Sequence, residues 1–237
     1  MLSVVIPTLD EEEYLGRLLE SIEMQSYQDY EVIVSDSGSD DDTREIAESY
    51  GAEVIETEKN GPGHGRNIGA EKAEGEKIVF LDADVKLVDK KVFDRIVETL
   101  EQEEVVAGSS SWRPIDGGRK ERLAMWTGCV LMELKDKIPF KSSPEGTGNL
   151  LFIEKDIFQE IGGFDTGLPF YEDIDLLEKA SEEGDLKNLR RQVEVSTRRM
   201  ENRGIIRTGL EYIIPEIYFN LGKEEKMKEK FKFSSAS

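Results

Sequence analysis

Short apolar runs and longer amphipathic ones take turns along the first hundred residues. "LSVVIP" at 2–7 is a β-branched run, and "EEYLGRLLESIEMQ" at 12–25 spaces Tyr14, Leu15, Leu18, Leu19 and Ile22 as a helix does. "YEVIVSD" at 30–36 predicts the next strand. "SDDDTREIAESYG" at 39–51 predicts a helix with Ser39 or Asp40 as N-cap and Gly51 as its stop. "AEVIET" at 52–57, "GHGRNIGAEKAEG" at 63–75 and "KIVFLDAD" at 77–84 continue as strand, helix and strand. A helix over "KKVFDRIVETLEQE" at 90–103 and a strand over "VVAGSSSW" at 105–112 complete the series. Such alternation predicts a Rossmann-like α/β fold, a mainly parallel sheet flanked by helices and joined by right-handed crossovers. In these sheets ligands bind beyond the carboxyl ends of the strands.

Past residue 112 the pattern changes. "ERLAMWTGCVLMEL" at 121–134 is an apolar helix candidate, and "GTGNLLFIEKDIFQEIGGFD" at 146–165 reads as a strand, a short helix and a glycine turn. "YEDIDLLEKASEEG" at 171–184 predicts a helix that starts in acid, and "QVEVSTRR" at 192–199 an edge strand. "GIIRTGLEYIIPEIYFNLG" at 204–222 is amphipathic but interrupted by Pro215. With no repeat or linker in view, residues 1–222 are expected to form one domain, split near 112 into two halves, with a charged tail over 223–237.

Composition narrows the partners. Acidic residues outnumber basic ones 51 to 31 for a net charge of −20. That field repels phosphodiester backbones, so nucleic acid is not an expected partner. It suits a cation that brings an anionic substrate to the protein. Cys129 is the only cysteine and His64 the only histidine. An intrachain disulfide and a Cys/His zinc cluster are both excluded. "MLSVVIPTLDEEE" has neither a basic leader nor a cleavage site, and no apolar run reaches membrane-spanning length. A cytoplasmic protein is expected, with peripheral membrane contact open.

Three polar clusters fall at predicted strand ends: Thr8–Asp10–Glu11, Asp36–Ser37 and Asp82–Asp84. The two aspartates of "DAD" share a face if the strand persists and diverge if the chain turns at Ala83. Two hard oxygen donors match Mg²⁺ or Mn²⁺, with diphosphate oxygens and waters completing the shell. An N-capping Asp beside a solvated one is the alternative.

"VVIPTLDEEEYLGRLLESI", "YEVIVSDSGSDDDT", "GHGRNIGAEKAEGEKIVFLDAD", "GTGNLLFIEKDIFQEIGGFD" and "YEDIDLLEKA" occur in this order over residues 2 to about 185. Together they resemble the family 2 glycosyltransferases, inverting enzymes of the GT-A fold that use nucleotide sugars. The resemblance implies a nucleotide-binding half to about 112 and an acceptor half from 113 to 222. It implies that Pro7, Thr8, Asp10 and Glu11 hold the base and ribose of a UDP- or GDP-sugar, and that Asp36 accepts a hydrogen bond from the base. For Asp36 a turn-forming role before Gly38 is the alternative. Arg66 and Asn67 match the family's Arg-Asn, where a fixed cation meets the diphosphate or the base edge; a surface salt bridge is the alternative. Asp82 and Asp84 become the metal-binding D-x-D, with Asp84 as direct ligand. Gly146, Gly148 and Asn149 line the acceptor and sugar pocket, and Glu172 and Asp173 match the E-D pair. Asp173 is expected to take the acceptor proton and Glu172 to orient it or bind the acceptor.

One departure stands out. Many family members carry a histidine downstream of the E-D pair that completes the metal site, and this chain has "STRRMENRG" there. Arg198 and Arg199, with Arg203, are candidates for holding the leaving diphosphate or an acceptor phosphate. Two rival functions remain: a sugar nucleotidyltransferase, although "PTLDEEEYLG" carries no phosphate-loop Lys, and a nucleotide-binding module without catalysis. The acceptor is expected to be a saccharide or a lipid-linked one. Leu210, Ile213, Ile214, Ile217 and Leu221, followed by a tail with Met227, Phe231 and Phe233, either dock on the domain or touch a membrane.

Overall fold

The computed structural model describes residues 1–114, 118–120, 123–124, 126–127, 147–168, 171–197, 204 and 207. A seven-stranded sheet forms its centre. In chain order the strands are β1 (Leu2–Thr8), β2 (Tyr30–Asp36), β3 (Glu53–Glu56), β4 (Lys77–Leu81), β6 (Val105–Ser110), β8 (Thr147–Glu154) and β9 (Asp185–Asn188). Across the sheet they lie in the order β3-β2-β1-β4-β8-β6-β9. Strands β3, β2, β1 and β4 are mutually parallel, β8 runs antiparallel to both β4 and β6, and β6 pairs parallel with β9. A smaller sheet, β5-β10-β7, joins β5 (Val85–Leu87), β7 (Trp112–Pro114) and β10 (Val193–Val195).

Central strands buried on both faces take apolar residues at successive positions, which explains the unbroken "VVI" of β1 and "IVFL" of β4. Neighbouring residues face opposite ways. Val4 and Ile6 join a core with α1 (Leu15–Glu23) and α4 (Val92–Leu100), while Val5 joins the opposite core with α3 (Pro62–Lys72), α5 (Lys155–Glu160) and α6 (Glu172–Glu183). Helix α1 buries Leu15, Leu18, Leu19 and Ile22, and α4 buries Val92, Phe93, Ile96 and Leu100, each an apolar stripe of helical period. Helix α3 lacks such a stripe and packs through its backbone. A Cβ on Gly69 would lie 2.4 Å from the Val5 side chain and 2.6 Å from Ser35 Oγ. Only glycine lets the helix lie this low on β1 and β2.

Several expectations need correction. "VVAGSSSW" is two strands: the chain leaves the main sheet after Ser110 and enters the small one at Trp112. "QVEVSTRR" supplies no edge, because β10 is the middle strand of the small sheet, between partners of three residues each. Strands that short carry no readable period. The capping residue of α2 (Thr43–Ser49) is neither Ser39 nor Asp40; the helix begins later, behind Asp42. Among the described residues no helix is long and apolar enough to cross a membrane. Gly146, Arg198, Arg199, Arg203, the 210–221 segment and the tail lie outside the described residues.

Candidate active site

Two loops meet at the carboxyl ends of β1 and β2, where Thr8 and Asp36 are register partners. Asp36 is fully buried. Its Oδ1 accepts from Thr8 Oγ1 at 3.0 Å and from Ser39 Oγ, and its Oδ2 accepts from the amides of Gly38 at 3.1 Å and Ser39 at 2.9 Å. This is the turn-forming arrangement, and it uses about the four acceptor sites a carboxylate has. The loop after β1 is tied to the same clasp: the Asp10 amide donates to Ser39 Oγ at 2.9 Å and the Glu11 amide to Thr43 Oγ1 at 2.8 Å. Asp10 adopts a left-handed backbone, φ 54°, and its Oδ1 accepts from the Asp40 amide at 2.9 Å. Pro7 sits half-buried on the last turn of the strand, over Gly65 of α3.

At the end of β4 the chain does turn. The Val85 amide donates to the Asp82 carbonyl at 3.3 Å, and the Asp82 amide to the Asn149 carbonyl at 3.3 Å. Asn149 and Gly148 therefore sit at the start of β8, beside the D-A-D. Asp84 is buried, while the Asp82 carboxylate is partly open and meets Arg66.

Arg66 is the hub of the site. Gly65 brings α3 close to β1, where a Cβ would lie 3.3 Å from Pro7, and Gly63 faces Glu172 and Phe164. From there the Arg66 guanidinium donates to Asp82 Oδ1 at 2.6 Å and to Glu172 Oε1 at 2.9 Å, and lies 5.3 Å from the centre of the Phe164 ring. It is only 3% exposed. Burial disfavours its charge, but Asp82, Glu172 and Asp173 outweigh burial and raise its pKa. Asn67, next along the helix, trades hydrogen bonds with the Phe164 backbone, donating to its carbonyl and accepting from its amide, both at 2.9 Å. Phe164 in turn packs edge-on to Phe80 at 4.9 Å. The Arg-Asn pair thus fastens the segment leading into α6.

Helix α6 starts behind Tyr171, whose backbone is left-handed at φ 67°. A tyrosine is rarely found there, and such strain concentrates at functional positions. Glu172 and Asp173 form the helix's first turn. Asp173 Oδ1 accepts the Ile174 amide at 2.9 Å. Loss of water around Asp173 is the largest influence on its carboxyl, and the charges of Glu172 and Asp82 add to it. Together they outweigh Arg66 and the amide, and the pKa is pushed up to about 7. Phe164, Tyr171 and Gly63 escaped the sequence reading as site residues. "IGGFDTGLPFYED" showed a turn before acid, but nothing in it reveals a ring beneath an arginine.

No group of three or more His, Cys, Asp or Glu among the described residues could hold a metal alone. Asp82 and Asp84 are hard oxygen donors, and they fit a divalent cation that shares its shell with diphosphate oxygens.

A Rossmann-like sheet with clasped loops and acidic residues gathered at its mouth defines the GT-A class of α/β proteins. Structures of that class are similar to this one. TarS of Staphylococcus aureus, residues 1–349 in complex with UDP, has a TM-score of 0.62 at 22% identity, covering 82% of this chain and 60% of that one. The mannosyltransferase PcManGT of Pyrobaculum calidifontis, in complex with GDP-Man and Mn²⁺, gives 0.63 at 24%, with 79% and 54% covered. The profile of glycosyl transferase family 2 matches residues 3–162, and the chain belongs to that family. Glycosyltransferase AglE of Haloferax volcanii is 31% identical over 193 residues, which cover 77% of this chain and 62% of AglE. The chain thus spans about three fifths of that relative's length.

Proposed function

We propose that the protein transfers one sugar from a nucleoside diphosphate sugar to an acceptor hydroxyl, inverting the anomeric centre. What carries this reading is the placing of Asp173, a carboxyl titrating near neutrality, beside the Arg66-linked Glu172 and Asp82. In a single displacement the acceptor oxygen attacks the anomeric carbon, the carbon–diphosphate bond breaks on the opposite side, and Asp173 takes the hydroxyl proton. Glu172 holds its neighbour's charge in check and faces the acceptor. Asp84, with Asp82, would hold Mg²⁺ or Mn²⁺. Such an ion neutralises the charge on the departing diphosphate. The clasped loops carrying Pro7, Thr8, Asp10, Glu11 and Asp36 form the seat for base and ribose, and Gly148 and Asn149 border the sugar. TarS and PcManGT bind UDP and GDP-mannose respectively, which supports a UDP- or GDP-sugar donor here. The acceptor is a saccharide or a lipid-linked one, and in the latter case the protein works at a membrane surface. No observation at the site favours a nucleotidyltransferase or a silent binding module.

Hydrolysis of a panel of UDP- and GDP-sugars, with and without Mn²⁺, tests this directly. Metal-dependent release of one nucleoside diphosphate is expected. No release from any donor, with or without saccharide and lipid-linked acceptors, overturns it.

A further inference from the structure

We propose that Arg66 is a positioning residue that links the donor side of the site to the acceptor side, holding Asp82 and Glu172 in one arrangement without itself grasping the diphosphate. The inference rests on the roles given above to Asp82 and to the Glu172–Asp173 pair.

The geometry argues for it in three ways. The guanidinium is 3% exposed, and two of its nitrogens are already committed, one to each carboxylate, at 2.6 and 2.9 Å. Those partners belong to separate parts of the chain, 16 and 106 residues from Arg66. Asp82 follows a strand of the nucleotide-binding half, whereas Glu172 opens the helix on the acceptor side. Lastly, the arginine has no room to swing away. Phe164 lies beneath it, held by Asn67 and by the Phe80–Phe158 pair, and Glu172 bonds to it. A planar fork fixes the direction of two carboxylates at once, which a lysine ammonium cannot do. A shift of either carboxylate therefore travels through the guanidinium to the other.

A diphosphate contact and a link between carboxylates predict different couplings. In Arg66→Lys the positive charge survives and the fork is lost. Turnover should fall about 100-fold, the cost of displacing reacting groups by about an ångström, while thermal melting shows a folded protein. Glu172→Ala gives the sharper readout, because it needs no turnover. This acceptor-side change should weaken Mn²⁺-dependent UDP or GDP binding in calorimetry by roughly 5-fold or more, the lower end of coupling between sites. In double-variant cycles, Arg66→Lys should add little to Asp82→Asn in nucleotide binding, and little to Glu172→Ala in turnover.

Wild-type turnover from Arg66→Lys overturns the proposal, since charge alone would then suffice. Unchanged nucleotide affinity in Glu172→Ala overturns it too, and this result stands even if Arg66→Lys fails to fold. Additive losses in both cycles, with wild-type transfer intact, sink the link while leaving the glycosyltransferase reading in place. A wild-type protein that binds no nucleoside diphosphate and releases none overturns both.

Discussion

Asp36 and Asp173 are both aspartates at the mouth of one sheet, and the chain treats them in opposite ways. Asp36 receives hydrogen bonds from Thr8, Gly38 and twice from Ser39, so its charge is met by its own surroundings. Asp173 receives one amide, from Ile174, and shares its place with the like charge of Glu172. A carboxylate whose acceptor sites are filled holds the surrounding loops in place, and in the proposed reaction it serves as scaffold. One left short of donors beside another acid holds its proton toward neutral pH, which in the proposed reaction suits it to proton transfer. The difference lies in the backbone around each residue, since the side chains are identical.

Replacing Asp173 should have the largest effect. A general base contributes roughly 10²- to 10⁴-fold in rate, so Asp173→Asn should lose at least 100-fold in transfer while donor affinity holds and the variant remains folded. Full activity in this variant would end the comparison, because Asp173 would then be as structural as Asp36.

Asp36→Ala comes next, and its loss should appear in stability. Buried amides and hydroxyls would lose a charged acceptor, a cost on the order of 3 kcal/mol, seen as a lower urea midpoint. Nucleotide affinity should fall with the loosening of the 36–43 loop. A stable variant that loses only nucleotide binding would show that Asp36 meets the base instead of holding the loop.

How much of this contrast was written in the sequence? The parallel sheet was, because β1, β2 and β4 each carry a β-branched or aromatic apolar run, and these runs alternate with amphipathic helices. The gathering of acids at strand ends was too. The way each acid is held was not. Ser39 and Thr43 bond across to the β1 loop over separations of 29 and 32 residues, and Arg66 reaches Glu172 over 106. Nothing local in "GHGRN" distinguishes an arginine facing solvent from one buried between two carboxylates. Strands β5, β7 and β9 escaped for a related reason. Each has three or four residues and takes its order from a partner far along the chain.

The pH response sharpens the contrast. With a pKa pushed up to about 7, Asp173 is ionised as a base only above that value, so kcat/KM should climb with pH up to about 7 and then level. Glu172→Gln removes the neighbouring charge and keeps a group Arg66 can bond. The rise should then move to lower pH. The same shift sets a stability term. A carboxyl whose folded pKa is raised contributes most below its ordinary 3.8, and that contribution is lost as pH rises through about 7. The gap in stability between Asp173→Asn and wild type should therefore move in the variant's favour across that window. A kcat/KM profile flat from pH 5 to 8 would remove Asp173 as the titrating base.

The smallest effect is expected on α6 itself, three residues past Glu172. There Asp175 pairs with Lys179 one turn on, at 2.7 Å, with more than a third of the lysine side chain exposed. Helix α6 thus carries two ion pairs, one buried at the site and one at the helix surface. A surface i,i+4 pair with the acid on the N-terminal side contributes about 0.3–0.5 kcal/mol. Lys179→Gln should therefore lower stability by no more than that in low salt, and by less in high salt as the pair is screened. Its kcat and donor affinity should match wild type, because the pair touches neither Arg66 nor the acids it holds. Should Lys179→Gln slow transfer as much as Arg66→Lys, charge anywhere on this helix would govern the rate. The link through Arg66 would then lose its special standing.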